Sequence, residues 1–102
     1  MAKSEIRKFT VIHPSGRVET YNAPNDLGSK QKAVGGCIEP LPYFVRYDGR
    51  YCEAYVNENG IAEGLPVNYS GTMAWRKAIA KKFTDTSWAG CFGPVVIIQK
   101  LA

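Results

Sequence analysis

The side chains with the strongest catalytic potential in this chain are one histidine, His13, and three cysteines, Cys37, Cys52 and Cys91. Nucleophilic catalysis needs a thiol or hydroxyl activated by a base, and the single imidazole stands in turn-forming sequence beside Pro14. A thiol enzyme pairing His13 with one of the cysteines is therefore the least favoured reading, because free cysteines are most often buried as small apolar side chains. The odd count and the lack of a C-x-x-C spacing argue against a disulfide framework and against structural zinc. The carboxylates are scattered, Asp48 and Asp85 both in turn-like contexts, so no metal site is expected. Gly35-Gly36 follows a helical segment instead of preceding one and lacks the Lys-Ser/Thr of a phosphate loop, so helix termination is its expected use. No cofactor is expected.

Polar side chains suited to binding are better represented. Asn57, Asn59 and Asn68 bracket the stretch NENGIAEGLPVN, with Glu39 and Arg46 on the strands before it. An asparagine offers both a donor and an acceptor and can read a base or ribose edge, although the same residue is also a common turn former. Glu39, Arg46, Tyr55, Asn57 and Asn68 are the ligand-binding candidates. A second set, Arg76, Lys77, Lys81 and Lys82, gives one helix face a basic cluster that would suit a phosphate backbone, or serve only as a solvated surface. Tyr43, Phe44, Tyr47, Tyr51 and Tyr55 interleave aromatic rings along an expected hairpin, without the signature of an RNA-recognition sheet.

Turn and cap signals place these residues on elements. Ile6–Ile12 alternates as a strand, His13-Pro14-Ser15-Gly16 is turn chemistry, and strand-like residues resume from Arg17 to Tyr21. Asn25 or Asp26 is placed to cap a short helix, Leu27–Val34, stopped by the double glycine. Cys37-Ile38-Glu39 follows as a strand interrupted by Pro40 and Pro42. Asp48-Gly49 favours a tight hairpin turn, so Tyr43–Tyr47 is expected to pair with Tyr51–Asn57. After an extended, proline-limited segment, Thr72–Phe83 has helical spacing through Trp75, Ala78, Ile79 and Phe83, with Ser70 or Thr72 as cap. Thr84–Gly93 reads as a loop and Pro94–Leu101 as a final strand, whose run Val95–Ile98 suggests burial on both faces.

A chain of 102 residues cannot be divided into two adequate cores, so one domain spanning residues 1–102 is expected. The fold class is α+β: an antiparallel or mixed sheet of about five or six strands with two helices packed on one face. Thirteen Lys and Arg against nine acids give a formal charge of +4, which permits an anionic partner without requiring one. The polar opening MAKSEIRK and the shortness of the apolar run Pro94–Ile98 point to a cytoplasmic chain with no membrane partner.

Three stretches, VGGCIE from Val34, NENGIAEGLPVN from Asn57 and GPVVII from Gly93, occur in the order found in domain-of-unknown-function family 3846, and the chain resembles that family from about residue 6 to 101. Gly35, Gly36, Glu39, Asn57, Gly60, Gly64, Leu65, Pro66, Asn68 and Gly93 occupy its motif positions. Gly28 inside the first helix, and a second helix longer and more basic than the pattern, depart from it. The resemblance brings no established reaction. It implies an accessory protein encoded by a bacteriophage, plasmid or other mobile element and acting in the host-cell cytoplasm.

The expectation from residues and resemblance together is a non-enzymatic protein that binds a small anionic, nucleotide-like ligand or a host protein and counteracts host defence. Small accessory proteins often act as symmetric oligomers, so a homo-oligomer belongs to this expectation. Nucleic-acid association through the basic helix is the alternative.

Overall fold

The computed structural model describes residues 4–79 and 90–101. Alternating apolar residues make β1 (Ile6–Ile12), which turns through His13–Gly16 into β2 (Val18–Pro24), with Ile12 opposite Val18. The Asp26 carboxylate accepts from Ser29 N at 2.8 Å and starts α1 (Leu27–Val34), which ends as Gly35 N donates to Gln31 O. That backbone hydrogen bond, followed by the one from the Ser29 side chain, holds the Asp26 carboxyl below its usual range. Next come β3 (Ile38–Pro40) and a ribbon of two short strands, β4 (Arg46–Tyr47) and β5 (Arg50–Tyr51). Asp48 and Gly49 both have positive φ, 52° and 79°, as the tight turn inferred from the sequence requires.

The expected long hairpin stops there. Its second arm continues as β6 (Glu53–Asn57), which leaves the ribbon and enters the main sheet between β3 and the last strand. β7 (Val67–Asn68) leads directly into α2 (Tyr69–Ile79) and pairs with β8 (Cys91–Phe92), and β9 (Val95–Lys100) closes the sheet. α2 begins earlier than the sequence suggested because the Asn68 carbonyl oxygen Oδ1, and not Ser70 or Thr72, accepts from Gly71 N at 2.8 Å. The rest of the expected helix, including Lys81, Lys82 and Phe83, lies outside the described residues.

The five-stranded sheet has the order β2-β1-β9-β6-β3, every pair antiparallel. Ile12 and Val56 both oppose Val95, while Phe9 and Glu53 both oppose Ile98. Alternation therefore sends Ile12, Ala54, Val56, Val95 and Ile97 to one face, where Trp75 and Ile79 of α2 join them. It sends Phe9, Val11, Val96 and Ile98 to the other, where Val34 of α1 completes the cluster.

The fold is thus an α+β domain with its helices packed on the sheet, but on opposite faces and not on one. The reason lies in β9: Val95, Val96, Ile97 and Ile98 are all 0% exposed, and a strand apolar on both sides needs cover on both. At ~1.5–3 kcal/mol for each buried aliphatic side chain, these four contribute about 6–12 kcal/mol before entropy is counted. β6 supplies part of that cover, with Ala54 and Val56 set against Ile97 and Val95.

The segment between β6 and β7 is held down from several sides. Asn57 Nδ2 reaches Val34 O and Glu63 Oε1, each at 3.3 Å, while its Oδ1 accepts from Asn59 N at 2.8 Å. At Gly60 an added Cβ would lie 2.7 Å from the Phe92 carbonyl oxygen, so only glycine allows this approach.

Candidate functional site

The pairing of β1 with β9 puts Arg7 directly opposite Lys100 at one end of the sheet, beside Glu53 at the start of β6. The β4–β5 ribbon folds over the same end, where an Arg50 Nη2 hydrogen donates to Lys100 O. Together Arg7, Arg46, Arg50 and Lys100, with Gly49, Tyr51, Cys52, Glu53 and Ile98, line an open cleft of about 630 Å³. Four cations face one carboxylate.

That carboxylate is already engaged. Glu53 Oε1 accepts from the Tyr55 hydroxyl at 2.7 Å and lies 3.5 Å from Lys30 Nζ, which also sits 4.7 Å from the Tyr55 ring centroid. Burial by itself would raise the Glu53 pKa, but the Tyr55 hydrogen bond, the Lys30 charge and hydrogen bonds from Lys30 and Asn25 outweigh it and hold the carboxyl below its ordinary value. Burial, then the bond to Glu53 and its charge, pushes the Tyr55 phenol up to about 12. Glu53 therefore stays ionised but spends its charge on Lys30 and Tyr55, leaving the cleft with surplus positive charge.

The guanidinium groups keep donors in reserve. Arg7 pairs with the exposed Glu5 at 3.2 Å, and its Nε is buried with no hydrogen-bond partner among the described residues. Arg46 lies with Cζ 4.3 Å from the centroid of the Tyr51 ring. A guanidinium presents five N–H donors in a fork matched to phosphate or carboxylate oxygens, so this group of side chains can bind an oxyanion through several charge-assisted hydrogen bonds.

The residues singled out from the sequence do not converge. Arg46 belongs to the cationic cleft and also lines a second depression with Asp48 and Lys77. Glu39 and Asn57 line a different cleft of about 560 Å³ with Trp75, Cys91 and Phe92, walled by the segment that Asn57 secures. Tyr55 faces α1 through Lys30 and Glu53. Asn68 is 0% exposed and spends its amide on backbone: Nδ2 donates to Ile12 O and Gly93 O at 2.8 and 2.9 Å. Of the basic helix set, Arg76 is half-buried and Lys77 exposed on α2, while Lys81 and Lys82 lie outside the described residues.

Arg7, Arg50 and Lys100 were missed from the sequence because each stands alone there. The available signal was the strand pairing itself: once the final strand is set against the first, Arg7 and Lys100 meet. Two of the thiols, Cys52 and Cys91, are held protonated. Burial pushes Cys52 up to about 11, with the Glu53 charge adding to it, and pushes Cys91 to about 11 against an opposing hydrogen bond with Thr72. Cys37 is exposed. His13 Nε2 lies 3.0 Å from Glu19 and 3.1 Å from Arg17, and the cleft it lines holds no cysteine.

Among the described residues no group of three or more His, Cys, Asp or Glu is placed to hold a metal ion, and no helix is long and apolar enough to cross a membrane. Fold and cleft define an α+β protein with an antiparallel sheet, a helix on each face and a cationic recess at one sheet end. No protein-family model matches the chain, and no curated protein or solved structure matches it.

Proposed function

We propose that the chain is a non-enzymatic binding protein whose cationic cleft takes a small phosphate-bearing anion. The observation that carries the reading is the convergence of Arg7, Arg46, Arg50 and Lys100 around one recess whose sole carboxylate is already paired. Its size lies within the usual ~300–1,000 Å³ of small-molecule sites. In the setting implied by the motif resemblance, such a protein sequesters an anionic signal in the cytoplasm of a host cell.

Isothermal titration of inorganic tripolyphosphate tests this at low and at physiological salt. Charge-assisted hydrogen bonds are worth ~1.5–3 kcal/mol, so Arg50→Ala weakens binding by roughly 10- to 150-fold. Lys32→Ala, on α1 and away from the cleft, leaves binding unchanged. Equal affinities in Arg50→Ala and wild type, or no binding to wild type even at low salt, reject the proposal.

A second reading, nucleic-acid association, draws on Arg46, which lines both the cleft and the depression containing Lys77. A strand following that path contacts several phosphates, and log affinity then falls linearly with log salt. Lys77→Ala reduces that slope if the reading holds, and an unchanged slope rejects it.

A further inference from the structure

Tyr51 is 72% exposed although it is the largest side chain at the rim of the cleft. Packing within the chain does not account for it, because β5 is only two residues long and the ring buries little against its own protein. One contact is well defined: Arg46, directly opposite across the ribbon, holds its guanidinium carbon 4.3 Å from the ring centroid. A guanidinium over one ring face restricts the rotamers of both side chains and leaves the other face to solvent. The result is an aromatic plane, oriented in advance, at the edge of a recess lined by arginines.

Resting on the reading of the cleft as an anion site, we infer that Tyr51 is a stacking platform and that the ligand is a nucleotide, its base on the open face of Tyr51 and its phosphates among Arg7, Arg50 and Lys100. A phosphate-bearing molecule without an aromatic ring satisfies only the cationic half of this arrangement. Every base has a π-face, so stacking of this kind is tolerant of base identity, and adenine and guanine nucleotides bind alike.

Titrations with ATP and with inorganic tripolyphosphate, both without magnesium, separate the two parts. Wild type binds ATP more tightly than tripolyphosphate. Tyr51→Ala lowers ATP affinity by about 5- to 150-fold and leaves tripolyphosphate within about twofold of wild type, while Tyr51→Trp retains ATP binding. Arg50→Ala weakens both ligands. If tripolyphosphate binds wild type as tightly as ATP does, or if Tyr51→Ala leaves ATP affinity unchanged, the stacking platform is rejected and the anion site stands. If wild type binds neither ligand, both the site and the inference fall.

Discussion

Replacing Asn68 with alanine removes three hydrogen bonds at once and leaves no water-accessible alternative. The side chain is 0% exposed, its Nδ2 serves Ile12 O and Gly93 O, and its Oδ1 serves Gly71 N at the start of α2. At about 1 kcal/mol net for each bond the loss is about 3 kcal/mol, and more if the stranded backbone groups stay dry. A domain of this size is stable by only ~5–15 kcal/mol, so the variant gives up a large part of its margin. The corresponding fall in Tm is roughly 12–24 °C. Urea unfolding followed by circular dichroism measures the change, and anion titration of the folded fraction tests what else is lost. The expected outcome is a strong drop in stability with unchanged affinity. A drop below about 1 kcal/mol accompanied by lost anion binding would refute the argument and return Asn68 to the ligand-contacting set.

Two further outcomes follow from the shifted ionisations. The folded chain keeps the Tyr55 proton up to about 12, whereas the unfolded chain releases it near the ordinary phenol value of 10.0, so this contribution is complete below pH 10 and is lost between there and 12. Tyr55→Phe therefore makes the alkaline fall of the urea midpoint shallower, at a cost of about 1 kcal/mol near neutrality for the lost bond to Glu53, and identical alkaline slopes contradict this. At about pH 8, iodoacetamide labels Cys37 rapidly and Cys52 and Cys91 slowly, because only the first is exposed and the other two thiols are pushed up to about 11. Mass spectrometry showing all three labelled at one rate overturns that assignment.

Local chemistry was legible where one short stretch decides the outcome. The β1–β2 hairpin, the Asp26 cap, the end of α1 at Gly35 and the Asp48-Gly49 turn each depend on neighbours in the chain. The two-sided burial of Val95–Ile98 was also readable, and it should have placed the helices on opposite faces. What the sequence hid depends on competition between distant pairings. Tyr51–Asn57 has all the features of a hairpin arm, yet Ala54 and Val56 bury more against Val95 and Ile97 than across a two-residue ribbon. The cleft is concealed for the same reason, since Arg7 and Lys100 become neighbours only through β9.

The place of β9 in the sheet order also governs when the protein can form. The β1–β2 and β3–β6 pairs lie on either side of it and are joined in the sheet only through its backbone. On the ribosome both pairs emerge well before Val95, with their apolar faces uncovered. Synthesis must reach Lys100 before either half acquires its partner, so the complete sheet waits on the closure of a very long loop. Until then the nascent chain carries two strand pairs with open edges, and chaperone binding in that interval has as its natural target Phe9, Val11, Ile12 and Val56, which later vanish into the core.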